Sequence, residues 1–240
     1  MDTPAPDHAT PPTPSPLANS SQLLVVVAQD WTRSTGELQR YARPGQYAAW
    51  QALGARIPVS LGRSGMAWGI GLHDAVDRPG PHKREGDGCA PAGIFAISEL
   101  FGYAGPETAF ARSARLPYRA ATPDLKCVDD PASAHYNRFV DLAENSACDW
   151  ASHEDMRRAD ERYAIGAVIA HNSPEPLAGA GSCIFLHVWQ AAGVPTAGCT
   201  AGALAEISEI CAWLDGAAAP LLVQLPAAEY AHFRAAWALP

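Results

Sequence analysis

Two residues in the last quarter of the chain have the types and spacing for nucleophilic attack on a carbonyl. Cys199 follows Pro195-Thr-Ala-Gly198, and His187 lies twelve residues earlier in the apolar run Cys183-Ile-Phe-Leu-His-Val188. A thiol attacks as its thiolate, so it needs a base, and imidazole is the side chain whose ordinary pKa suits that task near neutral pH. The loop through Gly193 and Pro195 is long enough to carry the chain from a histidine on a strand to a cysteine beside it. Beyond Cys199, Thr200 reads as a helix N-cap, with Leu204, Ile207, Cys211 and Leu214 at helical spacing before Asp215-Gly216. That spacing predicts a cysteine at a helix N-terminus, where the positive end of the macrodipole favours thiolate over thiol. Gly198 lets the backbone approach a substrate closely. Backbone amides there can hold a developing oxyanion, and Thr196 adds a hydroxyl donor.

The same residues also have a plainer reading, with Cys199 a buried thiol and His187 a satisfied strand residue. A zinc site built from His171, Cys183, His187 and Cys199 is a further alternative. Cys183 and His187 share one face of a strand, however, and at the usual rise their Cβ atoms lie about 13 Å apart, too far for one metal. His171-Asn172 follows a strand and reads either as cleft wall, with Asn172 binding a substrate amide, or as a loop. Asp87-Gly88 reads first as a turn between strands. Gly86, Gly88 and Gly93 do not make a phosphate loop, since no Lys-Ser/Thr pair opens a helix after them. Trp31, Trp68 and Trp189 read as core or rim aromatics.

The elements that must position these residues are mainly strands. Leu23–Ala28 is a β-branched apolar run, Thr35-Gly36 turns the chain, and Glu37–Ala42 alternates as a partner strand, which together predict a hairpin. Tyr47–Leu53 has a weak helical pattern, and Ile57–Leu61 reads as a strand followed by Gly-punctuated bends through Leu72. Pro79–Gly93 is too rich in Gly and Pro for a helix and leads into a strand at Ile94–Ile97. Gly105–Tyr163 reads as a large insertion or a series of long loops, with short helices at Glu107–Ala114 and Ser152–Arg162. Tyr163–Ala170 and Cys183–Val188 return to strand, and period two places Cys183, Phe185 and His187 on one face, Ile184, Leu186 and Val188 on the other. A strand at Leu221–Leu225 and a short helix at Glu229–Trp237 complete the pattern.

Composition narrows the function. The 240 residues, 48% of them hydrophobic, suit one domain with one core. A net charge of -8 with 18% charged residues argues against nucleic acid and against anionic membrane surfaces as partners. No run of eighteen apolar residues predicts a transmembrane segment. Six cysteines without a C-x-x-C pair do not make a disulfide scaffold. Cys127 and Cys148 could bracket one disulfide, with buried free thiols an equal reading. Met1–Ser21 has the composition of a disordered linker, with the folded domain expected over 22–240; such a linker often follows a removed signal or anchor.

Two stretches carry a family resemblance. Leu186-His187 with Pro195-Thr-Ala-Gly-Cys-Thr200 resembles the catalytic signature of the L,D-transpeptidases (YkuD-type), in which a histidine precedes a Ser/Thr-x-Gly-Cys element. Upstream, Lys83-Arg-Glu-Gly-Asp-Gly-Cys-Ala-Pro-Ala-Gly93 is similar to that family's Gly-Asp-Gly-x-Thr-Pro-x-Gly stretch. Ala197 stands where the family often has His, Ala201 where Arg or Asn is common, and Ala90 where Thr is usual, so the side chains that orient substrate differ. The resemblance, spanning roughly Leu23 to Pro226, implies a mostly β domain with a few helices, a twisted β-sandwich with inserted loops. It implies acyl transfer on peptidoglycan peptide stems or muropeptides. Cys199 would form a thioester, His187 would act as general base oriented by a backbone carbonyl, and Gly198 would lie at the oxyanion region. No cofactor or metal enters this chemistry. An acceptor amine makes the enzyme a transpeptidase, whereas water makes it an L,D-carboxypeptidase or endopeptidase; a non-catalytic peptidoglycan-binding domain is the remaining alternative. The family implies the periplasm or cell envelope, and a cytoplasmic enzyme trimming recycled muropeptides is the other possibility.

Overall fold

The structure is a computed structural model that describes residues 15–45, 48–73, 78–144 and 147–240. β1 (Gln22–Ala28) is buried along nearly its whole length, as its unbroken apolar run requires of a strand covered on both sides. It pairs antiparallel with β2 (Thr35–Ala42), which forms the expected hairpin. β2 continues into β3 (Gln51–Ser60), so the helical pattern at 47–53 yields to strand pairing where it is described. The register slips between Leu38 and Arg40, and the Gln39 amide donates to the carbonyl oxygens of Leu53 (3.0 Å) and Arg40 (3.1 Å), replacing ladder bonds lost at the bulge.

β4 (Met66–Trp68) precedes the long β5 (Ala90–Gly102), and the insertion that follows begins with α1 (Ala109–Ser113) and β6 (Tyr118–Ala120). β7 (Leu125–Val128), β8 (Phe139–Asp141) and β9 (His153–Asp155) form a separate three-stranded sheet in the order β8-β7-β9. The helix expected over Ser152–Arg162 is absent. β9 instead pairs with β7, Met156 is fully buried with its N–H on the Leu125 carbonyl, and only a 3-10 turn remains at Glu161–Tyr163. An isolated helix that short is marginal, so tertiary pairing wins.

The chain returns through β10 (Ile165–Ile169), β11 (Phe185–Val188), β12 (Thr200–Gly202), α2 (Leu204–Trp213), β13 (Leu221–Pro226) and α3 (Ala227–Phe233). The expected pair of stacked sheets is replaced by closure. Strands β10-β11-β12-β3-β2-β1-β13-β5 run in sequence, and β5 pairs back onto β10, giving an eight-stranded ring. β5 closes it because it serves two partners: Gly93–Ala96 hold β13, and Ile97–Gly102 hold β10.

Ile184, Leu186 and Val188 enter the main core. Cys183 and Phe185, on the opposite face, enter a second cluster with Phe101, Leu125, Cys127, Met156, Tyr163 and Cys199. This second cluster joins the ring wall to the inserted sheet. A disulfide reinforces it, linking Cys127 on β7 to Cys183, while Cys148 is a free, exposed thiol. Cys183 itself lies just ahead of β11 with φ 53°, outside the strand.

Of the expected N-terminal linker, 1–14 lies outside the described residues, and the remainder is packed. Leu17 is fully buried, and the Arg43 guanidinium donates to the carbonyl oxygens of Leu17, Ala18 and Ser20. No described helix is long and apolar enough to cross a membrane.

Candidate active site

Cys199 lies immediately before β12, and the register of β11 with β12 sets its neighbours. Leu186 pairs with Thr200 and His187 with Ala201 in parallel, which puts Cys199 level with Phe185. The Phe185 N–H accordingly donates to Cys199 Sγ at 3.3 Å, and the thiol donates to the Cys183 carbonyl at 3.5 Å. His187 projects from the same face two residues further along, so the two Cβ atoms are about 8 Å apart by strand spacing and rise. An imidazole and a thiol can bridge that separation between them. Among the described residues they make no direct hydrogen bond.

The expected helix dipole is not at the sulfur. α2 starts at Leu204 with Ala203 as its N-cap, and Thr200–Gly202 is strand. Cys199 is therefore a buried thiol in a sheet environment, 7% exposed, and burial pushes its pKa up to about 12, with the nearby Glu154 carboxylate adding to the rise. His187 is also buried, and burial holds its ring down to about 4 against the pull of the Val188 and Arg162 carbonyl groups. Its Nδ1 lies 2.8 Å from the Val188 carbonyl oxygen, and the Tyr163 ring meets it edge to face at 5.2 Å. The resting pair is thus neutral thiol and neutral imidazole.

Gly198 and Cys199 open onto a cleft of about 180 Å³ lined also by Arg63, Lys83, Glu85, Asp129, Glu154 and Ser182. A Cβ at Gly198 would sit 3.1 Å from the Cys89 carbonyl oxygen, a tight contact that a glycine avoids. Thr196 Oγ1 accepts from the Gly198 N–H (3.1 Å) and donates to the Cys199 carbonyl (2.6 Å), so it braces the turn that presents the cysteine. The same turn is tied to the neighbouring loop through Thr196 N–H to Leu61 O and Arg63 N–H to Thr196 O.

The Lys83–Gly93 stretch forms one wall. Asp87 takes the Cys89 N–H and the Lys83 ammonium on Oδ1 (2.8 and 2.6 Å) and the Arg84 N–H on Oδ2 (2.8 Å), which explains an aspartate between two positive-φ glycines. Gly62 admits this loop, because a Cβ there would lie 2.2 Å from Gly88 O. Glu85 reaches across to accept from Tyr136 Oη (2.5 Å) and Ser182 Oγ (2.7 Å). The inserted sheet supplies the facing wall with Asp129 and Glu154. Asp129 Oδ1 is buried with no hydrogen-bond partner among the described residues, a group that an incoming donor would satisfy. Glu154 Oε2 accepts from Tyr163 Oη.

The structure separates the remaining expected substrate contacts from the cleft. His171 is buried; its Nδ1 accepts from Ile70 N–H (3.2 Å), its Nε2 faces the Ala180 carbonyl (2.9 Å), and burial lowers its pKa to about 4. Asn172 is fully buried, donating to Leu177 and Gly181 carbonyl groups and accepting from Leu177 N–H, and so shapes the 172–181 loop from within. Trp31 and Trp68 pack edge to face at 5.1 Å and are not part of the cleft lining. A zinc site at Cys183 is ruled out by its bond to Cys127. No sequence signal points to Asp129, Glu154 or Tyr163, since a short strand, the residue after one and a 3-10 turn in a polar segment give no periodic pattern. No family model, curated protein or solved structure matches the chain.

Proposed function

We propose that the chain is a cysteine acyltransferase of the L,D-transpeptidase kind, acting on the peptide stems of peptidoglycan. On this reading the closed ring with its inserted sheet is a variant of that family's twisted sandwich. The observation that carries it is Cys199 at the floor of a cleft, on the same strand face as His187 and framed by the Gly86-Asp-Gly88 loop. Lys83, Glu85 and Gly86 of one stretch and Ala197, Gly198 and Cys199 of the other thereby border one space, with His187 buried beside it.

With thiol and imidazole both neutral at rest, the thiolate forms only as the substrate carbonyl arrives. His187 takes the Cys199 proton as sulfur bonds to carbon, and the ring is free to do so once it turns from one of its backbone carbonyl partners. Thr196 engages the Gly198 N–H, so on this reading the Cys199 N–H is the donor that this turn offers the oxyanion. The tetrahedral adduct expels the terminal residue's amine and leaves a thioester on Cys199. An acceptor amine then attacks that thioester, whereas water in its place gives hydrolysis.

Cys199→Ala is expected to abolish turnover of defined tetrapeptide muropeptides, read by product mass, with an unchanged circular dichroism spectrum. Turnover equal to the parent protein overturns the reading. In the parent protein, dimers signify transfer, and loss of the terminal residue alone signifies hydrolysis.

A further inference from the structure

Acylation of a thiol by an amide needs two proton transfers, and His187 accounts for one. The departing amine must also gain a proton before it is a competent leaving group. Glu154 is positioned to supply it. It projects from β9 of the inserted sheet into the same cleft as Cys199 and Gly198, with its side chain 27% exposed, so it is open to a bound substrate. Its Oε2 is held by the Tyr163 hydroxyl, and the Tyr163 ring packs edge to face on both His187 (5.2 Å) and Phe185 (5.6 Å). Phe185 in turn donates its N–H to the nucleophilic sulfur. One tyrosine therefore fixes the carboxyl relative to both partners of the thiol chemistry.

We propose that Glu154 is the second proton-transfer group of the site, donating to the leaving amine in acylation and receiving a proton from the acceptor in deacylation. Its role presupposes the thioester chemistry at Cys199. In acylation the Cys199 proton passes to His187, sulfur bonds to the carbonyl carbon, and the C–N bond breaks as the Glu154 carboxylic acid protonates nitrogen. In deacylation the acceptor's nitrogen or oxygen bonds to that carbon and its proton returns to Glu154. The C–S bond breaks, and the Cys199 thiolate recovers its proton from His187. Both groups end as they began.

The surroundings suit a carboxyl that exchanges protons. Burial raises the Glu154 pKa above the ordinary value, and Asp129 adds to the rise; Tyr163, Arg158 and Arg162 oppose it. Arg158 Nη1 stands 4.0 Å from Oε2, too distant for a tight pair that would lock the anion. The other charged groups of the cleft are the mutually paired Lys83 and Asp87 on its opposite wall, with Arg63 and the hydrogen-bonded Glu85.

The test uses Glu154→Gln, which keeps the shape and an acceptor for Tyr163. Its kcat/KM on an amide donor is expected to fall on the order of 100-fold, with the alkaline limb of the pH profile lost. Labelling of Cys199 by iodoacetamide, which has no leaving amine to protonate, is expected to hold. Tyr163→Phe gives an independent reading. Losing the hydroxyl donor raises the carboxyl's pKa, so the alkaline fall in kcat/KM is expected to move to higher pH. Amide turnover within about threefold of the parent for Glu154→Gln, or an unmoved limb in Tyr163→Phe, overturns the role of Glu154. If Cys199→Ala is inactive in the same assay, the thioester reading survives that result.

Discussion

At the scale of single residues, the chemistry turns on how a buried thiol becomes a nucleophile. Sequence alone predicts a thiolate favoured by a helix terminus, and the structure instead gives Cys199 a sheet environment and a pKa of about 12. With the pKa that high, the ionised fraction rises about tenfold per pH unit across the neutral range. Alkylation of Cys199 in the substrate-free protein is therefore expected to quicken steadily from about pH 7 to pH 9, followed by intact mass and peptide mapping. A rate independent of pH over that range means a preformed thiolate–imidazolium pair. The residues that brace the cysteine were partly legible. Gly198 reads from sequence as a point of close approach and Thr196 as a hydroxyl donor, yet Thr196 serves the turn and not an open donor position. His171 and Asn172 lay next to a strand end in sequence, and nothing in their types distinguishes a cleft wall from a buried loop scaffold.

At the scale of elements, the decisive contribution is the inserted sheet β7-β8-β9, which supplies the acidic wall of the cleft. The Cys127–Cys183 disulfide, with its cysteines 56 residues apart, joins β7 to the segment entering β11. Replacing both cysteines by serine removes a long loop constraint from the unfolded chain, expected to lower stability by about 4 kcal/mol in the chain-entropy treatment. The measurement is the denaturant midpoint against the parent, with amide exchange over 125–128 and 153–155. Unchanged stability and exchange would mean that packing alone holds the sheet. The period-two pattern of β11 and the helical spacing of α2 were readable because each presents a continuous apolar face. The start of α2 was not readable, since Thr200-Ala-Gly202 is too short to show a period and takes its conformation from β11 and β3. The same applies to β9, where a helix was expected and pairing with β7 prevailed. Cysteine pairing was equally hidden, because spacing in sequence carries no information about which strands meet.

At the scale of the whole molecule, the ring closes because β5 serves β13 with one half and β10 with the other. A mostly β chain was evident from its apolar runs, whereas closure through one long strand depends on partners far apart in sequence. Closure brings β11 and β12 together as parallel neighbours, even though a loop with Gly193 and Pro195 separates them in the chain, and this parallel pair holds His187 and Cys199 on one face. The insertion then covers that face and leaves the cleft as the approach to the sulfur. The central claim is that this buried sulfur is acylated by a peptide stem. Its most direct test is intact-mass spectrometry of the protein quenched in acid during turnover of a tetrapeptide muropeptide, with peptide mapping of any adduct. The expected result is a gain equal to the donor acyl group without its terminal residue, confined to the peptide containing Cys199 and released by hydroxylamine. Turnover with no adduct, or an adduct on any other residue, contradicts the account.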